Sequence, residues 1–387
     1  MAKKSTALLL SLILSVSVAL SLTSCSGAPK INSDKFEMLT DYKWSAAKDF
    51  SDGLAPVKEK DLWGFINTSG ELVIPCQFNS VLFFRDGYCA VQKDGKWGFI
   101  DKNGDMKIPN IYTSATAFYE DRAVVKNGNY YAYIDTAGNQ ITDFEFTDAM
   151  HFSEGLAAAE KDGYYGYISL NGETVIDFKY SDGGYFSEGL TEVFSPDTNH
   201  LSGFADKTGE LTINTKFSDA KNFKDGLAPV RVKTDSGYYW GFCDLQGNIA
   251  IDTEYDDAFS FSEGLARITE YITSDIDRYG YINMQGERIT EIKYNNAYDF
   301  KDGAARVQKD GKWGFIDKSG NEKIALQYDS AQDFSSGYAV VSKSSKFGYI
   351  NMDGNEEIAL EFTNAGNFNE GCAWVQHNNR FAFIKIK

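Results

Sequence analysis

The side chains that carry most enzymatic proton and metal chemistry are scarce in this chain. Its three histidines, His151, His200 and His377, recur at no fixed interval and form no metal-ligand spacing. No nucleophile elbow, phosphate-cradling glycine loop or zinc-binding helix motif occurs. Carboxylates are abundant, so a glycosidase-like acid pair is the one catalytic constellation the composition permits. Most of them, however, precede a glycine: Asp52, Asp86, Glu154, Glu188, Asp225, Glu263, Asp302 and Glu370. That recurrence is explained by turn chemistry. Calcium binding is the sharp alternative, and it needs several converging oxygens, which single turn carboxylates do not guarantee. The expectation is no catalytic residue, no metal, no cofactor and no enzymatic activity.

A denser set of candidate ligand-binding residues comprises Phe194, Asp197, His200, Asp235, Tyr238, Tyr239, Tyr271, Asp275 and Asp277. Aromatic rings with a polar neighbourhood suit a carbohydrate, the rings stacking on sugar faces while carboxylates accept hydroxyl hydrogens. What singles these residues out is the element that carries each of them.

Trp97-Gly98-Phe99-Ile100-Asp101-Lys102-Asn103-Gly104 recurs as Trp313-Gly314-Phe315-Ile316-Asp317-Lys318-Ser319-Gly320, with looser copies from Trp63, Tyr131, Tyr165, Ser202, Trp240, Tyr279 and Phe347 and a truncated one at Phe381. Successive starts lie 34, 34, 34, 37, 38, 39, 34, 34 and 34 residues apart. A fixed period of this size marks a repeat architecture, in which each unit buries its apolar face on the next. Within a unit, Tyr88–Gln92 and Lys96–Ile100 read as strands joined by Asp94-Gly95, a type I′ hairpin signal. Asp101 to Gly104 reads as a type I turn, and a third strand follows from Met106 to Tyr112. Eight residues after each turn glycine comes an aromatic, and six residues later a Phe (Phe84, Phe118, Phe152, Phe186, Phe223, Phe261, Phe300, Phe334, Phe368), with a small residue between as at Ala115 and Ala149. That spacing predicts a tight connector, and the Gly of each Trp-Gly pair is expected to make room for a ring of the adjacent unit. The three long periods gain their residues at one place, the hairpin tip: the gap from the first strand to the repeat aromatic grows from six to nine (Val193 to Ser202), ten (Val230 to Trp240) and eleven (Ile268 to Tyr279). Insertions in repeat arrays map to one face, often the binding face.

The Trp-Gly pairs Trp63-Gly64, Trp97-Gly98, Trp240-Gly241 and Trp313-Gly314 make the chain similar to the bacterial WG-repeat proteins over essentially all of residues 36–387. The resemblance implies a repeat fold and carries no chemistry with it. Tyr, Ser or Phe replaces Trp in several copies, and Ala132 and Ala382 replace Gly, so the pair reads as a packing device.

The N-terminus is of another kind. Lys3 and Lys4 precede an apolar run to Leu20, then Leu22-Thr23-Ser24-Cys25, an order that reads as a secretory signal. The tetrapeptide resembles the lipobox of bacterial lipoproteins, which implies a signal peptide over residues 1–24, acylation of Cys25 and a tether over residues 25–35. Ser26 lacks the Asp that often retains lipoproteins at an inner membrane, a mild preference for surface or outer-membrane placement. Loss of Lys3 and Lys4 takes the formal charge from −17 to −19, which disfavours nucleic acid. Cys76, Cys89, Cys243 and Cys372 each occupy a mostly apolar repeat position and read as buried thiols.

The fold expected is all-β: about ten three-stranded antiparallel units in an open, solenoid-like stack, with a closed β-propeller-like ring as the alternative. The ring has one argument of its own, because the chain starts late in a unit, at Trp44, and ends on a second strand. The function expected is that of a monomeric, membrane-anchored, extracytoplasmic scaffold that binds an envelope polysaccharide or a protein. A glycan hydrolase and a passive spacer are the alternatives.

Overall fold

The structure is a computed structural model, and it describes residues 27–31, 33–198, 201–273 and 276–387. The candidates Cys25, His200 and Asp275 lie outside the described residues. Ten small antiparallel sheets, eight of four strands and two of three, follow one another along the chain. We number the units 1 to 10 by sheet, from Ala46–Phe78 to Asn364–Ile386. Among the described residues the only helical segment is a 3₁₀ turn, Pro196–Thr198.

The units close into a ring, so the open stack gives way to its alternative. Phe36–Met38 pairs with the last strand, Phe36 opposite Ile386 and Met38 opposite Ile384, and Trp44 bridges to Phe381. The N-terminal segment thereby supplies the third strand that unit 10 lacks. Two kinds of contact that link successive units also link unit 10 to unit 1, and a third is made at the seam. The Phe or Tyr two residues after the repeat aromatic packs on the connector Phe of the next unit, with centroids 4.9 Å apart for Phe65–Phe84 and 4.7 Å for Phe204–Phe223, and the tenth such pair is Phe383–Phe50 at 5.4 Å. A turn carboxylate accepts the next unit's turn amide, as Asp52 does from Gly87 (2.7 Å) and Glu154 from Gly189 (3.0 Å), and Glu370 does so from Gly53 at 2.8 Å. The indole of Trp374 donates to Asp49 at 2.8 Å across the seam. An open stack would leave rings at both ends in water; closure buries them at no extra cost in chain.

The Asp-Gly carboxylates therefore do more than shape turns. Asp52, Glu154 and Glu263 each also meet the lysine of the next unit's turn, Lys102, Lys207 (3.2 Å) and Lys318 (3.0 Å). Partial burial would raise Glu154, but the Gly189 amide and Lys207 more than offset it and hold its carboxyl below the ordinary range. The connector serines add a third link, as Ser51 donates to the Phe84 carbonyl at 2.7 Å and Ser187 to Phe223 at 2.7 Å.

Two expectations about the unit need correction. The connector contains a strand, for its small residue sits in a two-residue strand, such as Ser80–Val81 or Asp219–Ala220, that pairs with the first hairpin strand. The short side chain lets that edge approach. The Gly of each Trp-Gly pair makes room for backbone of its own unit, not for a neighbouring ring. A Cβ at Gly64, Gly203, Gly314 or Gly348 would stand 2.5 Å from the carbonyl oxygen of Ile74, Ile213, Ile324 or Ile358, where the third strand bulges between its two registers. Ala132 and Ala382 occur where the third segment runs differently. There Thr142 and Thr40 are buried and accept the amides of Tyr133 (3.1 Å) and Phe383 (3.0 Å) through their hydroxyls. Unit 7 shares this form through Thr290 and Tyr281, at 3.0 Å.

The connector Phe residues and their partners are buried throughout, and burying each such ring removes on the order of 150–250 Å² from water. Where the partner is Tyr, its hydroxyl finds a connector carbonyl: Tyr133 to Met150 (2.8 Å), Tyr281 to Tyr298 (2.6 Å) and Tyr349 to Gly366 (2.7 Å). Cys89, Cys243 and Cys372 are buried free thiols, and Cys76 is half-buried. Burial pushes Cys243 up to about 12, which makes it inert.

Candidate functional site

The hairpin tips form one edge of the units, and the three enlarged tips are built in two ways. In units 6 and 7 the extra residues lengthen the ladder, to Leu227–Thr234 with Gly237–Asp244 and Leu265–Thr273 with Ile276–Asn283. In unit 5 the paired strands are shorter, Leu190–Phe194 with Ser202–Asp206, and the excess forms the 3₁₀ turn. Five added residues extend a hairpin by about 8 Å at ~3.3 Å per residue, so unit 7 stands above unit 8, whose tip is the plain Asp310-Gly311 turn.

That step in height leaves an open cleft of about 520 Å³, lined by Asp277, Arg278 and Tyr279 of the long hairpin and by Asn295, Asn296, Gln308 and Gly311 beside unit 8. The amide of Asn296 donates to the Gln308 carbonyl oxygen at 2.5 Å, and the Asn295 carbonyl oxygen accepts the Asp310 amide at 2.9 Å. Those bonds fix the side chains of Asn295, Asn296 and Gln308 on the wall of the cleft. Partial burial first, and the charge of Asp277 second, push the Tyr279 phenol up, so it stays a neutral donor at physiological pH.

The other side of the same hairpin meets unit 6. Tyr271 pairs with Asp277 across the ladder and is 55% exposed. Its amide donates to Asp256 at 2.7 Å, and desolvation with the charges of Asp257, Asp277 and Asp256 raises its phenol while Arg231 opposes them. Arg231 lies 5.2 Å over the ring of Tyr238, which is 46% exposed. Tyr239 follows Tyr238 on the alternate face, half-buried opposite Val232, and Asp235 is exposed at the tip. The fold thus brings Tyr238, Tyr271 and Asp277 into one neighbourhood. Phe194, half-buried opposite Asp182 and Ser202, and Asp197, exposed in the 3₁₀ turn, belong to unit 5 and stand two units from the cleft.

Sequence reasoning missed Arg231, Arg278, Asn295, Asn296 and Gln308. Three of these belong to an ordinary unit, and only the height step beside it gives them a role. It also missed a run of acids: the two-residue strands of units 4 to 7 begin with Asp148, Asp182, Asp219 and Asp257, where the others begin with Ala, Ser or Asn. The Ala220 amide is shared by Asp219 (3.0 Å) and by Glu192 of unit 5 (2.9 Å). Burial first, then the charge of Asp219, push Glu192 up to about 8. No group of three or more His, Cys, Asp or Glu suited to a metal occurs among the described residues.

The family model described as "WG containing repeat" matches ten segments, residues 31–63, 63–97, 97–131, 131–165, 165–194, 203–233, 240–270, 279–313, 313–347 and 347–381. The chain belongs to the WG-repeat family. No curated protein matches this WG-repeat chain. Among solved structures it is similar to dipeptidyl peptidase 4 of Porphyromonas gingivalis, with 11% identity over 83% of this chain and 60% of that one and a TM-score of 0.44. It is also similar to the extracellular domain assigned to a hybrid two-component system of B. thetaiotaomicron, with 12% identity over 87% of this chain and 56% of that one and a TM-score of 0.25. A third likeness, Hsv2 of Kluyveromyces marxianus, has 8% identity over 72% and 93% and a TM-score of 0.29. At these values none of the three speaks to what the WG-repeat chain binds.

Proposed function

We propose that this WG-repeat protein is an extracytoplasmic scaffold, lipid-anchored through Cys25, that binds rather than transforms its ligand. The observation that carries the reading is the cleft beside the long hairpin of unit 7, where Tyr279 stands among fixed amides and charges, with exposed Tyr271 and Tyr238 on the side of that hairpin facing unit 6. Such a surface suits an extended envelope polysaccharide: rings offer apolar faces, and Asn295, Gln308, Arg278 and Asp277 offer both donors and acceptors to hydroxyls. A protein ligand is the alternative outcome. The test is co-sedimentation of the full chain with purified cell-wall polysaccharide across a salt series. Saturable binding that persists at high salt and is weakened at least tenfold by Tyr271→Ala or Gln308→Ala, about 1.4 kcal/mol, is the expected result. Absence of binding would end the polysaccharide reading and turn the search to protein partners by crosslinking on intact cells.

A second reading, hydrolysis of extracellular glycans, draws on Glu192 and Asp219, two carboxyls on a shared amide, of which Glu192 is pushed up by burial. A raised carboxyl beside a second one is the pairing a glycosidase acid needs. Glycan turnover that Glu192→Gln abolishes would favour it over the scaffold.

A further inference from the structure

We propose that the hairpin-tip edge at the ring seam, units 9 and 10 with the segment around Lys43, rests on the lipid bilayer and holds the long hairpins of units 5 and 6 on the far side of the ring. The inference rests on the lipidation of Cys25 proposed above and adds where on the protein that anchor acts. Its first ground is the seat of the chain after Cys25. Pro29, Lys30, Ile31 and Ser33 lie against Glu357–Ala359, Glu361 and Phe362 of unit 9, the Tyr42 hydroxyl donates to the Pro29 carbonyl at 3.4 Å, and Ile31 packs on the core of unit 10. Phe362 pairs with Phe347 at the tip end of its ladder, and Tyr42 stacks edge-on with His377, 5.8 Å away, at the tip end of unit 10. Gly27 therefore starts at the tip edge of the seam. Cys25 precedes it by two residues, a reach of at most ~7 Å, so acyl chains on Cys25 enter the bilayer beside this edge and not at the end of a long leash.

The second ground is charge. At the residue just before the repeat aromatic, units 8, 9 and 10 carry a consecutive run of exposed Lys312, Lys346 and Arg380, with exposed Lys96 in unit 2 and half-buried Arg278 in unit 7, whereas units 3, 4 and 6 carry Tyr130, Tyr164 and Tyr239. Exposed Lys30, Lys43 and Lys343 join the first group. Asp41, Asp310, Asp329 and Glu361 are exposed carboxylates among them, and Asp329 is already paired with Lys312 at 2.5 Å. In a chain of formal charge −17 this edge is where anionic headgroups meet cations. Each Lys or Arg near such a surface adds to the attraction, which falls off within a Debye length. With ten units in the ring, unit 10 lies opposite unit 5 and four units from unit 6, so the lengthened tips of units 5 and 6 fall on the half away from the seam, and unit 7 stands between them and unit 8.

The test uses the full chain, processed and acylated in the cell and reconstituted in vesicles of phosphatidylcholine and phosphatidylglycerol that carry a headgroup quencher. A fluorophore is placed by Asn379→Cys at the tip of unit 10 or by Asp235→Cys at the tip of unit 6, with the unsubstituted chain as labelling control. Mass spectrometry of the N-terminal peptide reports acylation separately. Quenching several-fold stronger at position 379 than at 235 is the expected result. An acylated chain quenched equally at both, or more at 235, overturns the orientation while leaving the anchor intact. An N-terminal peptide without diacylglycerol on Cys25 overturns the anchor and the orientation together.

Discussion

At the scale of single residues, the Trp-Gly pair is a backbone device. The Gly has no room for a Cβ because the third strand's carbonyl stands in its place. Gly98→Ala should cost about 2–3 kcal/mol, the range for overpacking a rigid site, while Ala132→Gly, where the third segment runs clear, should cost about 1 kcal/mol from chain entropy alone. Denaturant unfolding of the two variants checks the contrast, and equal losses would refute this account of the glycine. Glu192 supplies a second prediction. Its folded-state pKa of about 8 lies above the ordinary 4.5, so the folded chain holds a proton that the unfolded chain releases through this window. Stability on this account is greatest below pH 4.5, falls as pH rises, and levels off above pH 8. Because the carboxyl is partly screened by solvent, the loss is on the order of 2 kcal/mol. Glu192→Gln should flatten that part of the pH–stability curve, measured as the denaturation midpoint from pH 5 to 9.

At the scale of elements, a hairpin's length decides what its neighbour's side chains can do. Asn295, Asn296 and Gln308 are unremarkable members of an ordinary repeat until the longer ladder of unit 7 rises beside them. Exchanging residues 271–277 for a plain two-residue tip should leave the unfolding midpoint nearly unchanged, since surface loops change length cheaply. The same exchange should remove ligand binding. Binding that survives it would place the site elsewhere on the ring, and a large drop in midpoint would mean the long hairpin is structural.

At the scale of the whole molecule, ring closure joins the two ends of the chain. Residues 36–44 pair with the last strand, bury Phe36 and Trp44, and bring Phe50 onto Phe383. Removal of residues 27–44 should expose the tenth unit and both ends of the aromatic series, lowering the unfolding midpoint and broadening the transition as the ring becomes an open array. Calorimetry of the shortened chain against the full one decides it, and an unchanged single sharp transition would show that closure adds nothing to cooperativity.

How much of this was legible beforehand follows from the range of each interaction. The period, the hairpins with their type I′ turns, the buried Phe series and the inert thiols were all readable, because each is set by neighbours within one unit: Asp94 and Gly95 do adopt the positive φ their turn demands, 51° and 76°. The place of the three insertions was readable for the same reason. The short fourth strand was missed because two residues carry no periodicity. The purpose of the Trp-Gly glycine was missed because a bulge in another strand leaves no mark on the residue that accommodates it. Whether ten units close or remain open depends on the small rotation from each unit to the next, a sum over the array that no single repeat encodes. The permuted start at Trp44 made a ring conceivable, and only the meeting of Phe36 with Ile386, Glu370 with Gly53 and Phe383 with Phe50, residues more than 300 positions apart, decided it.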